Sequence, residues 1–156
     1  MPTVPDMPTG ESQLTDDEYR SLARFRQALR EFLAFSEDAA RAHGITPAHH
    51  QLLLMVRGAE ASGDRPSLTD VANHLHIRLH SAGELVGRAV DHGLVERLVD
   101  PDDGRRILVT TTPAGRAQLE QLSLLHRREL RRFRTEMNQL LHTIDEGPGS
   151  NRSIDD

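Results

Sequence analysis

Apolar positions recur at helical spacing along most of the chain and switch once to strict alternation. Leu22, Phe25, Leu29, Phe32 or Leu33, and Ser36 share one face, which predicts a helix over about 15–43. Thr15-Asp-Asp-Glu18 is a capping box at its start, and Gly44 stops it. Thr46-Pro47 opens a second helix that runs to about Ala61, with Leu52, Leu53 and Val56 as core candidates. Ser62-Gly-Asp-Arg-Pro66 reads as a loop. Thr69 is the expected N-cap of a short third helix that turns Val71, Ala72 and Leu75 inward. His76-Ile77-Arg78-Leu79 is the tight turn after it. A fourth helix, about His80 to His92, packs Leu85, Val86, Ala89 and Val90, and Gly93 supplies its left-handed end.

Leu94, Val95, Leu98 and Val99 then suit a short strand. Asp100-Pro-Asp-Asp-Gly104 is a turn, and Ile107, Val109 and Thr111 alternate with Leu108 and Thr110 on a returning strand. Thr112-Pro113 then opens a last helix, over about 113–144. Along it Leu119, Ser123, His126, Leu130, Phe133, Met137, Leu140 and Ile144 follow a heptad-like 4-3 spacing, with His126 a polar position in the seam. A helix of ~30 residues runs ~45 Å, too long for so small a domain to cover, and therefore asks for a partner. Two short helices, a strand, a turn bearing paired arginines and a second strand make the order of a winged helix-turn-helix. The expected class is mainly α with a small β wing, the winged helix-turn-helix core (about 47–111) being flanked by N- and C-terminal helices. The expected organisation is one domain over 14–145 between disordered tails at 1–13 and 146–156.

Several residues tie this pattern to a known group: Leu75 and Ile77 around the turn, Arg88 in the fourth helix, and Gly93-Leu94-Val95 after it. The wing Asp100-Pro-Asp-Asp-Gly-Arg-Arg106, followed six residues later by Thr112-Pro-Ala-Gly115, is the most specific of them. On these residues the chain resembles the MarR family of bacterial transcriptional regulators over about 15–144. The resemblance implies a homodimer built on the helices at 15–43 and 113–144, and double-stranded operator DNA as partner. It further implies a repressor that releases a pseudo-palindromic site on binding a small aromatic or anionic effector. Members of the family commonly break the last helical region in two, whereas this sequence has neither Pro nor Gly between Gly115 and Gly147. Two alternatives stay open: a divalent-metal-responsive regulator of the same fold, and a winged-helix interaction protein without DNA binding.

Composition narrows the chemistry. The 156 residues contain no cysteine, which removes disulfides, thiolate metal ligands and thiol nucleophiles, and with them the cysteine-based oxidant sensing of some family members. All 19 basic residues are arginine. The formal charge of −5 is unexpected for a nucleic-acid binder, but it is concentrated at the ends. Residues 19–144 carry 18 arginines against 15 acids, a net of +3, so affinity for phosphate must come from placed arginines. The chain has no apolar run long enough to span a membrane and no basic-then-apolar leader, so the expected location is cytoplasmic.

The candidate DNA contacts are Arg78, His80, Ser81, Glu84 and Arg88 at the recognition helix and Arg105 and Arg106 in the wing. Arginine and histidine can donate to guanine acceptors or phosphate, and a carboxylate can accept from cytosine N4. Glu84 and Arg88 are also placed for an i,i+4 pair. Alternation along the returning strand would set the two wing arginines on opposite faces. One would enter a minor groove, with Arg105 favoured, and the other would stiffen the loop against Asp100 or Asp103. Gly83 and Gly87 are unusual inside a helix, and a close approach to DNA or to another helix would explain them. His43, His50 and Arg57 are the side chains to inspect around an effector cleft. The nine histidines show no metal-ligand spacing, each reading as a surface, cap or seam residue, and no cofactor or catalytic motif is present, so no enzyme is expected.

Overall fold

A computed structural model describes residues 13–145, and both proposed tails, apart from Gln13, lie outside that range, as does the side chain of Ile144. The elements are α1 (Asp16–Ala42), α2 (Pro47–Ala61), α3 (Leu68–Leu75), α4 (Leu79–Asp91), β1 (Val95–Val99), β2 (Ile107–Thr111) and α5 (Pro113–Asp145). They divide into two compact units, one being Phe32–Leu130 and the other the described parts of Met1–Glu31 and Arg131–Asp156.

Most boundaries follow from local capping chemistry. Thr15 and Glu18 each accept the other's backbone N–H at the start of α1, and Gly44 turns the chain with φ 78°. Thr46 caps α2 by accepting the His49 amide, with Pro47 in the first turn. Thr112 accepts the Gly115 amide at the start of α5, and its hydroxyl also reaches back to the carbonyls of Gly93 and Leu94. The start of α3 departs from expectation. Ser67, not Thr69, is the N-cap: Ser67 Oγ accepts from the Asp70 amide while the Asp70 carboxylate accepts from the Ser67 amide at 2.8 Å. This reciprocal pair satisfies two orphan donors, which a cap at Thr69 would leave open. Thr69 lies one residue inside the helix and is exposed.

The core of the larger unit is aliphatic. Leu52, Leu53, Val56, Val71, Ala82, Val86, Ala89, Val109 and Leu122 are fully buried, and Leu85, Leu94, Val95 and Leu119 nearly so. The wing is a two-stranded antiparallel sheet in which Val95 faces Thr111 and Val99 faces Ile107. Its returning strand is also held at the Pro66–Ser67 side, where the Val109 amide donates to the Pro66 carbonyl at 2.8 Å. Helix α5 is one element of 33 residues without a break. Its inward stripe is Leu119, Leu122 and His126, so the phase that runs through Ser123 is corrected. Ser123 is exposed and returns its hydroxyl to the Leu119 carbonyl.

His126, the polar position of the seam, is buried within this unit. Its Nδ1 lies 2.6 Å from the Leu122 carbonyl, which makes Nδ1 the protonated donor and leaves Nε2 to accept from Ser36 Oγ at 2.7 Å. Phe32 and Phe35 meet its ring edge-on. An apolar stripe with one internally satisfied histidine is as buried as an aliphatic one.

A polar knot closes this unit at the wing. The Glu60 carboxylate of α2, almost fully covered, accepts from Thr110 Oγ1 (2.7 Å), the Thr111 amide (2.8 Å), Thr111 Oγ1 (2.7 Å) and Arg116 Nη2 (3.0 Å). Burial pushes its pKa upward, but the Thr111 amide, the two hydroxyls and the Arg116 guanidinium outweigh that and hold it below the ordinary carboxylate value.

In the smaller unit Ser21, Ala28 and Leu140 are buried. A cleft of about 300 Å³ there is bordered by Arg24, Gln27, Glu31, Glu136, Gln139 and Thr143.

Candidate nucleic-acid interface

Helix α4 follows a sharp reversal. His76 takes the left-handed conformation (φ 54°) at the end of α3, and Arg78, extended, precedes the first turn of α4 without a side-chain cap. The helix therefore begins at Leu79 with its first amides unclaimed by any capping side chain, facing outward where a phosphate can take them. Ala82, Leu85, Val86 and Ala89 form its buried face. The 100° step per residue then leaves His80 and Glu84 on the outward ridge and Ser81 and Arg88 on one flank. All four are exposed, as is Arg78. Glu84 pairs with His80, Oε1 to Nε2 at 3.2 Å, rather than with Arg88. The expected Glu84–Arg88 pair is thus replaced by the i,i+4 pair on the other side of Glu84. The carbonyl of Arg88 instead accepts from the His92 amide, with His92 Nδ1 2.7 Å away.

The wing tip is ordered by its acids. Asp100 Oδ1 accepts the Asp102 amide and Asp103 Oδ1 accepts the Arg105 amide. The Asp103 carbonyl takes the Arg106 amide, and Asp100 donates its own amide to the Arg106 carbonyl. Both arginines consequently sit in the turn before β2, not on the strand itself, and backbone alternation is not what separates them. Arg106 lies 3.6 Å from Asp100 and 3.8 Å from Asp70, joining the wing to the first turn of α3. The Ser67 amide above all, with the Ser67 hydroxyl and Arg106, holds the Asp70 carboxyl below its ordinary pKa against the upward push of burial. Arg105 extends from the tip with an exposed side chain.

Residues 43–106 match the sequence model of the MarR family. Among solved structures, AbsC of Streptomyces coelicolor, a MarR family transcriptional regulator, is 21% identical with a TM-score of 0.65, over 87% of this chain and 97% of that one. A cysteine-to-serine mutant of MarR from E. coli, solved with operator DNA, is 20% identical with a TM-score of 0.62, over 86% and 98%. A probable transcriptional regulator from Pseudomonas aeruginosa is 26% identical with a TM-score of 0.58, over 78% and 91%. No curated protein matches. The fold is the winged helix of these structures, and residues 43–106 are the part similar to the MarR family.

The side chains expected around an effector cleft are not gathered into one. His43 is half-buried with Nδ1 2.9 Å from the Ala39 carbonyl, and its own carbonyl accepts from Gln118. Arg57 is exposed on α2. His50 is buried with its ring 4.8 Å from that of His126. Neighbouring His49 points to the other side, 5.5 Å from His92. Thus His49 and His50 belong to the interior, not to the surface or caps. A cleft of about 800 Å³ opens elsewhere, along Leu54, Met55, Gly58, His74 and His76. Among the described residues no three His, Asp or Glu side chains gather as a metal site, and no helix is long and apolar enough to cross a membrane.

Burial, and secondarily the charge of His126, lowers the His50 pKa from 6.5 to about 4. Burial followed by His92 and Arg88 lowers that of His49. The unfolded chain therefore binds more protons than the folded one between about pH 6.5 and 4. Stability is complete above 6.5 and falls as the pH drops through that window. Urea unfolding midpoints across pH 7 to 4 should decline, and His50→Gln should decline less steeply, with His49 sustaining the remainder. Equal slopes in the two proteins would remove His50 as the cause.

Sequence reasoning missed three participants: Glu60, whose partners lie 50 residues and more away; Asp70, whose Ser-x-x-Asp capping signal was legible; and Arg97, which donates to the Gly83 carbonyl 14 residues back.

Proposed function

We propose that this protein is a DNA-binding transcriptional regulator, a homodimeric repressor that holds a pseudo-palindromic operator and releases it when a small effector binds. One observation carries the reading: α4 presents an exposed polar ridge beside a wing whose two arginines are differently committed. Arg106 is engaged by Asp100 and Asp70, and Arg105 remains exposed at the tip. In this reading His80 and Glu84 face base edges, Arg78, Ser81 and Arg88 hold phosphate, and Arg105 enters the adjacent minor groove. Exposed Leu124 and Leu130 on the larger unit and Tyr19, Leu22 and Leu141 on the smaller supply apolar surface for a second copy. Two copies would place two recognition helices about one DNA turn apart.

Selection of bound sequences from random DNA tests the proposal, with an inverted repeat as the expected product. Failure to enrich any sequence would leave the interaction-protein alternative. On the recovered site, Arg105→Ala should leave the melting temperature unchanged, weaken binding, and lower the salt slope by about one unit per lost contact in each subunit. Arg106→Ala should cost about 1 kcal/mol of stability: its pair with Asp70 is half-exposed, and its pair with the nearly buried Asp100 is long at 3.6 Å. An unchanged affinity and slope in both variants would remove the wing from the mechanism.

A further inference from the structure

Two glycines one turn apart in a recognition helix of 13 residues call for a cause. Neither has the positive φ seen at Gly44, Gly63 and Gly93, so backbone conformation does not require them. A methyl group built on Gly83 meets nothing within 4 Å, whereas one built on Gly87 meets a single atom, Nη2 of Arg97, at 3.2 Å. The same Nη2 donates to the Gly83 carbonyl at 3.0 Å. In an α-helix that carbonyl also accepts the amide of residue 87, so the guanidinium shares an acceptor with the helix's own ladder. The backbone of Arg97 is held in the wing ladder opposite the fully buried Val109, while its side chain lies exposed along α4. One side chain therefore spans from the first wing strand to the middle of α4, over the one-turn gap that the missing side chain of Gly87 provides.

We propose that Arg97 is a positioning residue for the recognition helix, its guanidinium coupling α4 to β1 through Gly83 and Gly87 and so fixing the pitch at which α4 enters the DNA groove. The inference rests on the regulator reading above. Gly83 immediately precedes Glu84, so the carbonyl that Arg97 grips belongs to the peptide unit leading into a side chain on the outward ridge. A small rotation of α4 about that point moves His80 and Glu84 relative to any base edge, while the phosphate-binding arginines on flexible stems can follow. Loss of the brace should therefore cost sequence discrimination before it costs general affinity.

The test compares wild type, Arg97→Met, Arg97→Lys and Gly87→Ala on the selected operator and on random duplex DNA, over a range of salt. Arg97→Met keeps the apolar stem and removes the donor, and is expected to lower the operator-to-random ratio about tenfold. Gly87→Ala retains every charge and favours the helix, so it should fold. It displaces the guanidinium by a few tenths of an ångström and should lower the ratio in the same direction with an unchanged salt slope. Arg97→Lys, with a donor but no fork, should recover part of the ratio. An unchanged ratio in both Arg97→Met and Gly87→Ala would overturn the positioning role. So would a uniform loss on all sequences with a shallower salt slope in Arg97→Met and none in Gly87→Ala, which would make Arg97 a phosphate contact. Wild-type protein that binds neither DNA would instead overturn the regulator reading on which the inference stands.

Discussion

Gly115→Ala should be among the most damaging single substitutions in this chain, lowering stability by about 3 kcal/mol or more and the melting temperature by about 10 °C. An added Cβ would lie 2.1 Å from the Leu94 carbonyl oxygen, 2.9 Å from its carbon and 3.1 Å from Leu53 Cδ2. The first two are backbone atoms with no freedom to retreat. The Leu94 carbonyl accepts the Thr112 amide at 3.1 Å, and Leu53 is fully buried. Relief requires moving the start of α5 away from the start of β1, which breaks the Thr112 contacts at the corner. Thermal melts followed by far-UV circular dichroism would show the loss. Gly58→Ala, inside α2 with open space around its Cβ, serves as the opposite control and should stabilise by up to about 1 kcal/mol. Equal melting temperatures for Gly115→Ala and wild type would refute the close approach.

Glu60→Ala comes next, with an expected cost of about 2–4 kcal/mol. It strands two hydroxyls and one amide that are partly buried and removes the partner of Arg116. Glu60→Gln keeps one acceptor oxygen but offers a donor toward groups that themselves donate, and should recover less than half of the loss. The low carboxyl pKa gives the pH signature. Stability supplied by an ionised Glu60 is present above its unfolded value near 4.5 and is lost as the pH falls through the lower folded value. Urea titrations at pH 7 and pH 3 should find the gap between wild type and Glu60→Gln narrower at pH 3. A gap of constant size would mean that the charge plays no part.

How much of this was legible in advance depended on sequence distance. Caps at Thr15, Thr46 and Thr112 and the stop at Gly93 rest on contacts within a few residues, and local chemistry placed them. Ser67 was missed although its signal is equally local: Ser67 and Thr69 both offer a capping hydroxyl just ahead of Val71, and it is the reciprocal bond with Asp70 that separates them. In α5, Leu122 and Ser123 both keep a three-or-four spacing to Leu119 and His126, so periodicity alone did not choose between them. His126 looked like an interruption of a seam because its hydroxyl partner, Ser36, lies 90 residues away. The wing motif announced two arginines, but their division of contacts was set by Asp70, on another element. Gly83 and Gly87 were recognised as needing a neighbour, and the neighbour, Arg97, came from a strand whose register no spacing rule supplies.

The Glu60 knot also decides where the wing can bend. Thr110 and Thr111 at the end of β2 and Arg116 in the first turn of α5 grip one carboxylate, so the corner at Thr112 has no hinge of its own. Any compliance is displaced to the far end, residues 100–106, where the chain is held by short aspartate turns and two long ion pairs of the half-exposed Arg106. Such a wing is stiff at the shoulder and yielding at the fingertip: its base would transmit a displacement of α5 undiminished, while its tip adapts to grooves of differing width.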